Sequence, residues 1–147
     1  MSTRVASGFT LIEMLLSIAA LAIIAGIGVP VYQSLQVRNN LDIAATTLAQ
    51  DYRRAQTLAQ ASDGDTSWGV SVGSTTITVF RGSSYATRDA SYDELSDLSG
   101  SITPTGVLSV VFGKFTGLPQ TTGTTTLTSN TNEVRTVYLN AKGTITY

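Results

Sequence analysis

The residues able to do chemistry in this chain are few, and the most telling lie near its amino terminus. Glu13 is the one charge in an apolar block that begins at Phe9. A carboxylate at the centre of a membrane helix costs about 2.5–3.5 kcal/mol on insertion scales, so an anion here needs a cation. Gly8, just before Phe9, has no side chain and suits a tight protease subsite at a membrane surface. A cut after Gly8 leaves 139 residues and a new ammonium at Phe9. That ammonium, at i,i+4, is one partner for Glu13. Elsewhere the options narrow quickly. Cysteine and histidine are both absent from the 147 residues. Thiol nucleophiles, disulfides, structural zinc sites and histidine-based acid–base pairs are therefore excluded. Ser/Lys pairs or paired carboxylates remain. Lys114 and Lys142 each stand beside a glycine in an expected turn, and Asp93-Glu94-x-x-Asp97 reads as solvated loop surface. Asp63-Gly64-Asp65 lacks the spacing of a calcium loop and reads as a turn after a helix. No phosphate loop or dinucleotide fingerprint occurs. The expectation is a protein that is not an enzyme, with no catalytic residue, no metal and no cofactor.

The elements that carry these residues follow from the apolar pattern. Met14 to Tyr32 is a run of nineteen uncharged residues, close to the roughly 20 that cross a bilayer as helix. It is too long for the apolar region of a cleaved secretory signal, about 7–15 residues, and the chain after it continues as helix. Gly26, Gly28 and Pro30 fall inside, where a helix is expected to kink or melt. Arg4 precedes the run and Arg38 follows it, a weak bias that puts the amino terminus in the cytoplasm. Charged residues make up 13% of the chain, with nine basic against ten acidic. That is about half the usual charged share, and it gives no electrostatic footprint for nucleic acid.

From Arg38 to Ala61 there is no Gly or Pro, and Leu41, Ala44, Ala45, Leu48, Tyr52, Ala55 and Ala59 recur three or four apart. That is one apolar stripe at the helical period. Phe9 to Ala61 would make a helix of 53 residues, about 80 Å long. Past Gly64 the period becomes two. Strands are expected at 68–72, 76–81, 107–112, 123–128, 134–139 and 144–147, the first two joined at Gly73-Ser74. The polar stretch 82–101 reads as a long loop.

Met-Ser-Thr-Arg-Val-Ala-Ser-Gly followed by Phe-Thr-Leu-Ile-Glu-Met-Leu-Leu resembles the class III signal sequence of type IV pilins and type II secretion pseudopilins. The resemblance implies that a prepilin peptidase cuts between Gly8 and Phe9 and methylates the Phe9 amine. It implies that Glu13 neutralises the amino terminus of a neighbouring subunit during assembly. The partners so implied are other pilin or pseudopilin subunits, the peptidase, an inner-membrane assembly platform and the bilayer before assembly. Location would be the inner membrane, then a periplasmic or surface filament. The fold implied is α+β: leader 1–8, assembly helix 9–32, amphipathic helix 33–61 and a β-rich head, 62–147. The order of elements, with Trp68-Gly69-Val70 and a closing Leu139-Asn-Ala-Lys-Gly-Thr-Ile145, is most similar to the GspH/FimT minor pilin group. Two features depart from such proteins. There is no cysteine for a carboxy-terminal disulfide loop. Only Lys114, Arg135 and Lys142 offer positive charge near the end, so nucleic acid is an unfavoured partner. The alternative to a purely structural subunit is a filament-displayed adhesin or a DNA-binding minor pilin, acting in attachment or DNA uptake.

Overall fold

A computed structural model describes residues 8–147, leaving aside the side chains of residues 27–31. The leader, apart from Gly8, and Arg4 with it, lies outside the described residues. One long helix, α1 (Leu11–Gln60), precedes eight strands, the α+β order that the period change predicts. The chain divides into two compact units, Met1–Gln36 and Val37–Tyr147.

In the second unit every member of the expected stripe is buried. Leu41, Leu48, Ala55 and Ala59 are fully enclosed, with Tyr52 beside them. Ala49 joins them. The helix ends after Gln60, where Ser62 adopts the left-handed conformation at φ 53°. The amide of Phe115 donates to Ala59 O at 2.9 Å, beside Ser62 N at 3.1 Å, so a loop far along the chain adds a second donor to a helix-end carbonyl. The Asp63–Asp65 turn that follows is anchored by Trp68 Nε1, which donates to Asp63 O at 2.9 Å.

The strands are β1 (Trp68–Val72), β2 (Thr76–Arg81), β3 (Asp89–Asp97), β4 (Ile102–Gly106), β5 (Ser109–Phe112), β6 (Gly123–Ser129), β7 (Val134–Leu139) and β8 (Ile145–Thr146). They form two antiparallel sheets, ordered β3-β2-β1-β5 and β4-β6-β7-β8. Both contribute to one core with the helix stripe. Tyr52 meets Phe112 edge-to-face at 6.3 Å, and its hydroxyl lies 3.1 Å from Thr125 Oγ1. Replacing Phe112 by Ala removes a side chain that is 0% exposed. It should cost about 3–5 kcal/mol, a large part of the about 5–15 kcal/mol that holds a domain. Denaturant unfolding of the full chain in detergent measures this.

Three expectations are corrected. The stretch 82–101 is not a loop throughout: Asp89–Asp97 is a nine-residue edge strand. It pairs with β2 on one side only, from Thr76↔Asp97 to Arg81↔Asp89 with a bulge. Most of its side chains face water on both sides, so no apolar alternation marks it. Its polar residues are tied down by ion pairs, Arg88 to Asp93 at 2.8 Å and Arg54 to Glu94 at 2.9 Å. The expected strand 107–112 is shorter, β5 at Ser109–Phe112, and an unforeseen strand, β4, precedes it at Ile102–Gly106, with Val107 and Leu108 between the two. β4 holds Pro104, tolerable because the strand is at a sheet edge. The first hairpin turns one residue later than expected. Gly73 and Thr76 are still paired, with Gly73 N donating to Thr76 O at 2.8 Å, so Ser74-Thr75 makes the turn.

Asp51 is a feature of the core that the stripe does not foretell. Ser96 Oγ donates to its Oδ1 at 3.4 Å, while Oδ2 is buried with no hydrogen-bond partner among the described residues. Burial pushes its carboxyl from 3.8 up to about 6; the Ser96 hydrogen bond opposes this and the nearby Glu94 carboxylate adds to it. With its native value above its unfolded one, the folded state takes up the proton. The stability this group contributes is full below about pH 4 and is lost as pH rises through about 6. Asp51→Asn should therefore stabilise the protein at pH 7 by about 1 kcal/mol, the shift being discounted for the group's partial exposure. It should also flatten the stability profile between pH 4 and 7. A variant less stable than wild type at pH 7 would show that the carboxylate has a partner worth keeping.

Candidate functional site

The amino-terminal residues form a local structure that the charge argument alone does not reveal. Leu11 is the first helical residue, so Thr10 is the N-cap and Glu13 the third helical position. The amide of Thr10 donates to Glu13 Oε2 at 2.8 Å, and the Thr10 hydroxyl donates to the same oxygen at 2.7 Å. In return the Glu13 amide donates to Thr10 Oγ1 at 3.3 Å. This is a capping box, in which Thr and Glu three residues apart each satisfy the other's backbone donor. The carboxylate also sits at the positive end of the helix dipole. Ser17 Oγ donates to Glu13 O at 2.7 Å. The two contacts onto Oε2 leave Oε1 open to a further donor.

The structure thus brings Glu13 to Thr10, whereas the within-chain partner expected from spacing was Phe9. In the full chain the Phe9 nitrogen is an amide, so no ammonium exists there until the bond to Gly8 is cut. The signal was in the sequence. Thr-x-x-Glu ahead of an apolar run is a capping signature, and the i,i+4 spacing drew attention away from it.

Gly8 and Phe9 lie ahead of the helix without regular structure. A Cβ placed on Gly8 would meet nothing within 4 Å, and the same is true of Gly26. Neither glycine is required by packing among the described residues. The backbone is helical through Gly26, Gly28 and Pro30. The Gly28 and Pro30 side-chain positions lie outside the described residues.

In the first unit the helix turns its apolar residues outward on every side. Phe9 is 84% exposed and Leu11 80%. Ile12, Leu16, Leu21 and Ile24 are each about two-thirds exposed. An uncovered apolar surface of this kind marks a partner or a membrane. Among the described residues no helix is long and apolar enough to cross a membrane; the expected run Met14–Tyr32 includes residues 27–31, whose side chains are not among them.

In the head two of the cations named from sequence, Lys114 and Arg135, are engaged by carboxylates, while Lys142 makes no ion pair among the described residues. Lys114 pairs with Asp65 of the Asp63-Gly64-Asp65 turn, and the Lys114 ammonium holds the Asp65 carboxyl below its usual value. Arg135 Nε lies 2.6 Å from Asp42, and Arg38 Nε 2.8 Å from Glu133. These last two tie the helix to the β7 end of the second sheet. Asp93 and Glu94, read as loop carboxylates, each face an arginine on an edge strand. Among the described residues no three carboxylates gather where they could share a metal ion.

The family model for the prokaryotic N-terminal methylation motif matches residues 3–29. That span contains Gly8, Phe9, Thr10 and Glu13, with Gly26 and Gly28, and stops one residue before Pro30. No curated protein and no solved structure matches the chain. The motif is a prepilin-type signal, and it supports a type IV pilin-like chain that a prepilin peptidase processes and that assembles with other pilins.

Proposed function

We propose that this chain is a minor structural subunit of a type IV pilus or a type II secretion pseudopilus, of the GspH/FimT kind, and not an enzyme. The observation that carries the reading is the uncovered apolar helix with a capped carboxylate near its start, inside the methylation motif. In this reading residues 9–32 lie in the inner membrane with the amino terminus in the cytoplasm. Prepilin peptidase cuts after Gly8 and methylates the Phe9 amine. The assembly platform then moves the chain into a filament, where other subunits cover the apolar helix. Each transfer exchanges lipid for neighbouring helices at little hydrophobic cost, which suits a subunit that must leave the bilayer.

Glu13 supplies the specificity. Its capping contacts use Oε2 and orient the side chain in advance, so Oε1 can take an incoming ammonium without first losing the cap. A charge pair formed among apolar helices is strong when complete and costly when half-made. It therefore selects the stagger at which amine and carboxylate meet. Gly26, Gly28 and Pro30 are the place for the helix to bend or unwind as it packs, since Gly and Pro weaken a helix interior by about 1 and 3 kcal/mol relative to Ala. Nucleic acid is not a partner in this reading, because Lys114 and Arg135 are already paired and Lys142 by itself makes no basic patch.

The test is to isolate filaments from cells expressing the chain and measure its abundance in them. A minor subunit appears at a small fraction of the main component. A chain that forms the bulk of the filament contradicts the minor role, and one that never leaves the membrane contradicts the subunit role.

A further inference from the structure

The outer face of the second sheet carries a pattern that filament assembly through α1 does not use. Along β4, β6 and β7 alternate residues such as Ile102, Leu127 and Val137 are buried. The residues between them face away from the core, and the strand register sets them in rows. Thr103 stands opposite Thr128, and Thr105 opposite Thr126. Thr126 in turn stands opposite Thr136, and Thr124 opposite Tyr138. Tyr138 is followed across the sheet by Thr146. Seven threonines and one tyrosine thus form a grid, closed at one corner by Val134 opposite Thr128. Rows are about 7 Å apart along the strands and columns about 4.8 Å apart across them.

The grid holds none of the chain's nineteen charged residues, nine basic and ten acidic. Arg135 lies on β7 between Val134 and Thr136, but it points to the opposite face and pairs with Asp42. Tyr138 remains 49% exposed. The absence of charge selects the partner. A charged polymer laid here would lose water from its charges with nothing to pair them. A purely apolar partner would strip water from the hydroxyls and return no hydrogen bonds. A neutral polysaccharide returns both. Its hydroxyls match the threonine hydroxyls, and its C–H faces match the threonine methyls and the tyrosine ring, which presents an apolar body and a polar tip.

We propose that the threonine face of β4, β6, β7 and β8 binds a neutral polysaccharide. The proposal concerns the head alone and does not depend on how α1 assembles. The experiment uses the full-length chain in a sugar-free detergent. It measures retention on amorphous cellulose, chitin, starch and dextran, with alginate and heparin as charged comparators. The expected result is retention on a neutral polymer, released by its soluble oligosaccharide, and none on the charged ones. Thr126→Val with Thr136→Val keeps shape and strand preference but removes two hydroxyls, and it should weaken binding about tenfold, or about 1.4 kcal/mol. Thr126→Ser with Thr136→Ser keeps the hydroxyls and should retain binding. Tyr138→Ala should weaken it to a similar degree, with thermal unfolding monitored to show that the sheet is intact. Retention on none of the four neutral polymers overturns the proposal, as does preference for alginate or heparin, or binding that the Val pair leaves unchanged. Self-association lost in the Val pair, without polysaccharide binding, would assign the face to a second copy of this chain.

Discussion

Glu13→Ala should abolish incorporation into filaments, or reduce it at least tenfold, while leaving the head as stable as in wild type. The reason is where its contacts lie. Among the described residues the side-chain hydrogen bonds at Glu13 are local, to Thr10 and Ser17, and the head core is built from residues beginning at Leu41. Its removal cannot reach that core. It does remove the one anion that an incoming Phe9 ammonium would meet, and an unpaired charge among apolar helices costs about 3–5 kcal/mol. The capping box makes two further variants informative. Gln at position 13 can still reach back to the Thr10 amide, because Gln serves in a capping box as Glu does. Glu13→Gln therefore keeps the helix start and loses the charge, and it should behave like Ala. Thr10→Ala does the reverse. It loses the cap, worth about 0.5–2 kcal/mol, but keeps the charge, and should assemble with a milder defect. Glu13→Asp keeps the charge on a shorter reach and should fall between wild type and Ala. Filament content by immunoblot, with head unfolding in parallel, reads all four. Wild-type incorporation of Glu13→Ala, or a head that unfolds when only Glu13 changes, would contradict the assembly role.

Gly8→Val should leave the leader attached in essentially every molecule. Nothing among the described residues opposes the change, since a Cβ at Gly8 would meet no atom within 4 Å. Any effect must come from a second protein that reads this position. A peptidase subsite shaped around glycine, which has no side chain, would have no room for a branched one. Uncleaved chains would then collect in the membrane, heavier by the leader and absent from filaments, because Phe9 would never gain a free amine to offer a neighbour. A mass or gel-mobility comparison with wild type, with the peptidase co-expressed, decides it. Normal cleavage of Gly8→Val would move the processing site elsewhere.

How much of this is legible in the sequence depends on whether one face of an element is buried. The helix stripe from Leu41 to Ala59 reads directly because the core lies on one side of it. β7 reads directly for the same reason, and β1 and β2, buried on both faces, read from their β-branched runs, all three with bounds as expected. β3 does not, because Asp89–Asp97 sits at a sheet edge with both faces largely wet, and neither period two nor β-branching is needed there. β4 is hidden by Pro104, which argues against a central strand but is permitted at an edge. Asp51 looks like one more polar residue off the stripe, and only the approach of Ser96 from β3 encloses it. The Thr10–Glu13 cap is readable as a motif, Thr-x-x-Glu ahead of an apolar run, although one carboxylate in an apolar block suggests a distant cation before it suggests a backbone amide three residues away. The threonine face is spelled out in alternate residues of three strands, but only the register of β4 against β6 and of β6 against β7 turns it into a surface.

The central claim is that the chain becomes competent for assembly when a peptidase exposes Phe9 four residues ahead of Glu13. The most direct test is mass spectrometry of the amino-terminal peptide of the chain recovered from membranes of cells that also express a prepilin peptidase. The account predicts a peptide beginning at Phe9 and carrying one methyl group on its amine. A terminus at Met1 or Ser2, or at any residue other than Phe9, would contradict it.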